Sequence, residues 1–331
     1  MENLILATIF ASFLITYLII PSWIKNAKVN NMVSKDMHKI SEEKVAEGGG
    51  VAVISGITIG ILFYIALKTF YFGSNGETIF IFALLCTILI SALVGLIDDS
   101  LGWKKGLSRK TRILIIAFAA VPLMVVNAGI SSMSFPFLGE INFGILYPLI
   151  IIPLGIIGAT TTFNFLAGYN GLESSQGIIL LTGLSIATYI TGNRWLSVIA
   201  LYAVFSLLAF YIFNKCPAKI FPGDVLTYPI GALIATIAIL GNIEKIALFF
   251  FIPYIIETCL KVRGKLEKES FAKINRNGNL DLPYKKIYGL EHAAVYIIKK
   301  IKKNQVKEKE VVYLINGFQI AVIILGLIVL L

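Results

Sequence analysis

Long apolar runs separated by short polar stretches set the pattern of this chain. Uncharged runs occupy residues 3–24, 48–67, 78–97, 113–139, 141–172, 174–193, 195–214, 225–243 and 311–331, and a further run from 246 continues past Glu257 to 260. A membrane helix needs about 20 consecutive apolar residues. The pattern therefore predicts an all-α, polytopic membrane protein with about ten transmembrane helices in a single domain, 1–331. The runs 113–139 and 141–172 are too long for one span, and each reads as a helix plus a loop because Asn and Gly collect at their ends. The first run lacks a basic leading segment and a clear small-x-small cleavage site, so a retained helix is expected rather than a signal peptide.

Composition agrees: of 331 residues, 57% are hydrophobic and 15% charged, with a mean hydropathy of +0.84. Those values exclude a soluble globular enzyme, a disordered chain and a disulfide scaffold. They also count against a transmembrane β-barrel, whose strands alternate polar and apolar positions. No internal repeat or low-complexity segment is visible.

The net charge of +10 matters less than where the cations sit. Numbering the nine connections between the ten runs, the odd ones carry 26 of the 29 lysines and arginines. Only Lys68, Arg194 and Lys245 fall on the other face. By the positive-inside rule the odd connections are cytoplasmic and both termini lie outside. The cations thus follow topology, and no nucleic-acid partner is expected. Cys86, Cys216 and Cys259 show no metal-ligand spacing, and Cys86 and Cys259 are read as packing residues without a disulfide framework. His38 and His292 are read as surface residues.

Acidic residues beside membrane spans are costly and therefore informative. Asp98 and Asp99 end the third run in VGLIDDS, Glu173 follows the fifth, Asp224 opens the eighth in FPGDV, and Glu47 precedes the second in AEGGG. All fall on the expected cytoplasmic side. Adjacent carboxylates repel, so Asp98-Asp99 calls for a divalent cation or a neighbouring cation, unless it is a solvated helix end. Hard oxygen ligands of this kind suit Mg²⁺. Asn164, Asn170 and Glu173 span a Gly-containing turn and either ligate a metal, read a nucleobase edge or serve as ordinary turn residues. Asp224 either caps the helix it begins or ligates a cation. The glycines at 48–50 either admit a ligand to a helix N-terminus or act as a hinge. In the ninth connection, 261–310, the residues Arg276-Asn277-Gly278-Asn279 predict a hairpin turn. Leu290, Ala294, Ile297 and Ile301 share one helical face, followed by Lys299, Lys300, Lys302 and Lys303, which predicts a helix lying on the membrane surface.

Taken in order, EGGGVAVISG, GLIDDSLGW, FNFLAGYNGLESSQG and FPGDVLTYPIG resemble the polyprenyl-phosphate N-acetylhexosamine-1-phosphate transferases of glycosyltransferase family 4, and most closely the dolichyl-phosphate GlcNAc-1-phosphotransferase branch. The resemblance covers nearly the whole chain. It implies attack of a membrane polyprenyl or dolichyl phosphate on the β-phosphorus of UDP-GlcNAc, giving lipid-diphosphate-GlcNAc and UMP, with Mg²⁺ (Mn²⁺ as substitute) on the diphosphate. By the same resemblance Asn164 and Asp224 match metal ligands, and Asp98 and Asp99 match an aspartate pair that deprotonates or orients the acceptor. Lys110 and Arg112 are alternative phosphate cations. Glu47 and Gly48 fall near the sugar nucleotide, Asn170 at the uracil and Glu173 in the same NGLE segment. Arg263, with Lys261 or Lys265, matches the basic ninth loop that grips the diphosphate. A second copy of the chain is a further candidate partner. The cell-wall branch carries Lys where this chain has Arg112, a histidine-rich ninth loop and an Asp-Gly-rich motif in place of NGLE, so the dolichol-type branch fits better. The alternatives are the same reaction with another UDP-N-acetylhexosamine or an undecaprenyl-type acceptor, or a secondary transporter. A transporter places ionisable groups near the bilayer midplane, whereas here the acids gather at one face.

Overall fold

Helices form along the apolar runs, and prolines and glycines decide where they break. The computed structural model describes residues 2–331 except 41–43, 75, 103–105, 136–138 and 303–304, so Lys104, Lys105 and Lys303, together with Trp103 of the GLIDDSLGW segment, lie outside the described residues. Helix α1 (Glu2–Val29) leads through a small antiparallel pair, β1 (Val33–Lys35) and β2 (Lys44–Ala46), into α2 (Gly50–Ala66), which continues as a π-helical segment, Leu67–Phe72. Next come α3 (Thr78–Leu101), α4 (Arg109–Ala119) and α5 (Val121–Val125), then a hairpin of β3 (Ser132–Phe135) and β4 (Gly139–Asn142). A π-helical turn, Tyr147–Ile151, enters α6 (Ile152–Phe165), followed by α7 (Leu172–Ile190), α8 (Arg194–Asn214), α9 (Asp224–Gly241), α10 (Glu244–Phe250) and α11 (Ile252–Arg263). The chain ends with the short pair β5 (Lys273–Ile274) and β6 (Leu280–Asp281), α12 (Leu290–Ile301) and α13 (Glu308–Leu330).

Among the described residues, seven helices are long and apolar enough to cross a membrane. The other three expected runs are built differently. The run 113–139 breaks at Ala120, just before Pro122, and beyond Val125 gives way to the β3–β4 hairpin. The run 174–193 starts earlier, as α7, on the polar turn Leu172-Glu173-Ser174-Ser175-Gln176. The run from 246 breaks at Phe251, because Pro253 in the first turn of α11 supplies no N–H to a continuing ladder.

Helix α9 is the centre, buried along nearly its whole length, with α3 and α6 against it and α2, α7 and α8 closing round. Its first turn is approached by two glycines. A Cβ at Gly95 of α3 would collide with the Asp224 carbonyl, and one at Gly50 of α2 would collide with the Leu226 backbone. Gly49 likewise packs on Phe210 and Ile220. Gly49 and Gly50 therefore serve close helix packing.

Several sequence readings need correction. His38 and His292 are buried, because each is covered by aromatic neighbours: Tyr169 and Phe271 flank His38, and Tyr284 faces His292. Cys86 and Cys259 are exposed on the outside of the bundle instead of packed, as lipid-facing positions of an apolar helix are free to be. The hairpin expected at 276–279 is present. On α12, Ile297 and Ile301 are exposed while Ala294 is buried, so the apolar face is only partly covered by the protein.

The helix contact at Gly95 generates a stability prediction. Gly95→Val should lower the thermal midpoint of the purified protein in detergent, by the roughly 1–3 kcal/mol that overpacking costs. Gly76→Ala, which meets nothing within 4 Å, should leave it unchanged. Equal midpoints for the two variants would break the proposed α3–α9 contact.

Candidate functional site

The first N–H groups of a helix need acceptors, and one that starts inside a protein must find them there. Gly223, with φ +72°, turns the chain into α9, and the acceptor comes from another helix. Asp99, near the end of α3, takes the Asp224 N–H on Oδ1 at 2.8 Å and the Val225 N–H on Oδ2 at 3.0 Å. Asp224 therefore does not cap its own helix. A cap of this kind is worth about 1 kcal/mol, and a charge at a helix N-terminus up to about 2 kcal/mol where partly buried.

This junction puts the neighbouring acids together. Asp98 is buried, and its carboxylate adjoins that of Asp224. Asp98 Oδ1 accepts the Leu107 N–H at 2.7 Å; Oδ2 accepts the Tyr228 hydroxyl at 2.9 Å and pairs with Arg112 Nη2 at 2.6 Å. The Arg112 guanidinium lies over the Tyr228 ring at 5.7 Å. Both aspartates thus have both oxygens engaged by the protein.

Two adjoining cavities meet here. The larger, about 810 Å³, takes its walls from Ser34–Met37 (34–37), Glu47, the start of α4, the end of α6, the turn 167–170, the 221–224 turn and the stretch 266–271. The smaller, about 490 Å³, is bordered by Glu47, Asp98, Asp99, Arg109, Arg112 and Asp224. Both volumes suit small-molecule sites, roughly 300–1,000 Å³. Glu47, Arg109, Arg112, Gly223 and Asp224 border both.

The sequence candidates separate accordingly. Asn164, Asn170, Glu173, Glu47, Lys261, Arg112 and Asp224 line the larger cavity. Glu47 Oε2 accepts the Ser34 hydroxyl at 2.7 Å. Glu173 Oε1 accepts the Gly168 N–H at 2.8 Å, and Oε2 is buried with no partner among the described residues. Lys261 donates to Ser270 and lies 3.4 Å from Glu257. Four candidates stay outside both linings. Lys110 is exposed on α4, because residues one apart on a helix face different ways, and Arg109 and Arg112, three apart, share the cavity face. Arg263 is exposed and lies over the Tyr288 ring at 5.9 Å. Lys265 is an exposed residue in a left-handed turn. Gly48, with φ +76°, packs on Trp23. Sequence reasoning missed Lys268, Glu269, Ser270 and Phe271, which line the larger cavity. Their only signal was their place just ahead of the hairpin.

A divalent cation fits this donor set. The smaller cavity has four carboxylates, Glu47, Asp98, Asp99 and Asp224, against two guanidinium groups. The Asp224 carboxylate faces that of Asp98, and among the described residues the Asn164 carboxamide oxygen receives no hydrogen bond from a protein donor, so hard oxygens remain for an ion. A second group, Asp36, His38 and Glu308, has potential ligand atoms within 4.8 Å of one another. Its atoms are already spoken for. His38 Nε2 accepts the Ala272 N–H at 3.2 Å and Nδ1 faces Glu308 Oε1 at 3.4 Å, while Asn170, Lys39 and Cys216 occupy the carboxylates. We read it as a hydrogen-bonded lock.

Comparison with known proteins extends beyond the motifs. Residues 81–242 match the family described as glycosyl transferase family 4. The putative UDP-N-acetylglucosamine–dolichyl-phosphate N-acetylglucosaminephosphotransferase of Saccharolobus solfataricus is 38% identical, across 95% of this chain and 93% of its own. The protein of the same description from Sulfolobus acidocaldarius is 32% identical, across 98% and 95%. The UDP-N-acetylglucosamine–dolichyl-phosphate N-acetylglucosaminephosphotransferase of Dictyostelium discoideum is 29% identical, across 75% and 69%. The likeness runs through every connection that walls the two cavities, and on that ground this integral membrane protein belongs to glycosyl transferase family 4.

Proposed function

We propose that this chain transfers N-acetylglucosamine 1-phosphate from UDP-GlcNAc to a polyprenyl phosphate of the dolichyl type, releasing UMP. The observation that carries the reading is the shared wall of the two cavities: one holds amide and aromatic residues suited to a nucleotide, the other carboxylates and guanidinium groups suited to a phosphate, and Asp224 and Arg112 border both. An acceptor phosphate oxygen forms a bond to the β-phosphorus, the bond from that phosphorus to the bridging oxygen breaks, and UMP leaves with the electron pair. A phosphate monoester has a second pKa near 6, so at neutral pH the acceptor needs no strong base. Asp98, already committed to Arg112 and Tyr228, then orients Arg112 rather than taking a proton, and Asp99 holds α9 in place. Asn164 and Asp224 would hold Mg²⁺, or Mn²⁺ on the same oxygens, which when bound offsets diphosphate charge. Arg112 and Lys261, both on the lining of the larger cavity, would offset further phosphate charge.

The proposed membrane placement has ten spans, with α4–α5, α7 and α10–α11 supplying three. Both termini are outside. It is supported by the 26 cations on odd connections and by the origin of the cavity walls in those same connections.

UMP release by purified protein given UDP-GlcNAc, Mg²⁺ and a polyprenyl phosphate is the direct assay, with UDP-GalNAc in parallel to separate the sugars. Release with neither donor would sink the proposal. Asp224→Asn should lower Mg²⁺-dependent release at least about 100-fold with the thermal midpoint retained. Near-normal turnover would remove Asp224 from the metal site. Arg112→Ala should lose at least about 100-fold, whereas Lys110→Ala should stay within about threefold of the parent. The reverse order would show that Lys110 is the phosphate cation and that α4 turns its other face to the substrate.

A further inference from the structure

Helix α12 carries its apolar residues on the wrong side for a helix in water. Its protein-facing side holds Glu291 and His292 together with Ala294, Val295 and Ile298, all buried. The uncovered side holds Ala293, Tyr296, Ile297, Lys300 and Ile301, which follow the i, i+3, i+4 spacing of one helical stripe. Ile297 is 45% exposed and Ile301 73%. A helix bathed by water on that side would show polar residues there. The face expected from the sequence is thus turned: Ala294 packs inward, and Tyr296 and Lys300 join the two isoleucines outside.

Both ends of α12 are tied to neighbouring helices. At its start the Leu290 N–H donates to Glu257 Oε2 of α11 at 2.5 Å. At its end Lys302 pairs with Glu310 in the first turn of α13, a helix long and apolar enough to cross a membrane. Glu310 stands three and four residues ahead of Tyr313 and Leu314, which are exposed on the outside of the bundle, so it heads the lipid-facing stripe of α13. The uncharged part of α13 starts directly after it and runs from Val311 to Leu330. About 20 residues span the hydrocarbon of a bilayer, so Glu310 marks its edge. Ile301, next to Lys302, is held at that edge.

The charges agree with this position. Lys300 Nζ lies over the Tyr296 ring at 4.6 Å, and Lys307 and Lys309 are exposed where α13 begins. Lysines with apolar stems and tyrosines with polar tips suit the layer where headgroups meet acyl chains. We propose that α12 seats Tyr296, Ile297 and Ile301 in that layer of an anionic leaflet, with Lys300, Lys307 and Lys309 on the lipid phosphates. A lipid surface meets both halves of the face: hydrocarbon for the isoleucines and negative charge for the lysines. The inference goes beyond the reaction proposed above, since it needs α13 to cross the bilayer and nothing of the substrate. The opposite side of the same helix places Glu291 beside Lys261, so the seat also ties one wall of the larger cavity to the leaflet.

The test uses the full-length protein in nanodiscs holding one chain each, made of phosphatidylcholine alone or with phosphatidylglycerol, with bromine near the head of the acyl chains as a contact quencher. The emission that Ile301→Trp adds over the parent should be lost in brominated discs as strongly as that of Tyr313→Trp, the lipid-facing reference on α13. Quenching of Tyr313→Trp without quenching of Ile301→Trp would overturn the inference, and the face would then await a protein partner. Adding Lys300→Glu to Ile301→Trp should reduce the quenching in discs with phosphatidylglycerol and leave it unchanged in phosphatidylcholine alone. The same quenching with and without Lys300→Glu in both lipids would overturn the choice of an anionic surface. Should Ile301→Trp lower the thermal midpoint, Ile297→Trp on the same stripe carries the same comparison.

Discussion

The Asp99 carboxylate on the first two N–H groups of α9 is the constraint on which the site depends. A helix that begins within a bundle carries backbone donors that lipid and packed side chains cannot satisfy. Drawing the acceptor from α3 meets that need and also fixes the end of α3 against the start of α9. The residues next to the tie, Asp98 and Asp224, are then forced into contact. Two carboxylates at that distance are unfavourable without a cation. Arg112 supplies one in the protein itself, and a divalent ion on the remaining oxygens would supply the rest. A helix cap thus creates a charge imbalance that, in the proposed reaction, a divalent ion would resolve.

A second polar tie works at the other end of the larger cavity. Asp36 and His38 come from the stretch after α1, Asn170 from the turn before α7, Cys216 from the turn after α8, Ala272 from the stretch after α11, and Glu308 from the start of α13. Apolar helices in lipid gain little from one another's hydrophobicity, so their relative register must come from close packing and interhelical hydrogen bonds. Both devices are used here. Gly95 and Gly50 allow backbone contact around α9, and buried hydrogen bonds pin the connections. Rigid walls follow, and a lid is not needed to bring the site residues together.

Legibility in the sequence tracked the range of the forces involved. The apolar runs gave the helices because hydropathy is local. The motifs carried the acids because an acid beside a span is costly wherever it sits. The partners were hidden: nothing near Asp99 says that its acceptors serve a helix 125 residues on. The histidines looked exposed for the same reason, since the aromatic cover on His38 comes from Tyr169 and Phe271, far along the chain. That Arg112 and not Lys110 lines the cavity was readable in principle. Arg109 and Arg112 are three apart and share a helix face, and Lys110 lies about 100° away from Arg109 around the axis. The stretch 268–271 had no such regularity and emerged only from the fold.

Three cations on the cavity walls are held by protein acceptors. Arg112 is held by Asp98, Arg109 by the Leu266 carbonyl at 2.7 Å, and Lys261 by Glu257 and Ser270. Glu291 stands behind Lys261, fully buried, and burial with Glu257 beside it pushes its carboxyl well above the ordinary range. A free arginine or lysine loses about 2 kcal/mol of rotamer freedom when a ligand immobilises it. A cation already fixed by a carboxylate has met that cost during folding. In the proposed reaction it would present its charge where it is needed, in a site that does not have to reorganise as negative charge builds on the bridging oxygen that leaves with UMP. Buried acids at Arg112 and Lys261, and a backbone carbonyl at Arg109, are therefore the means by which these wall cations are kept in place.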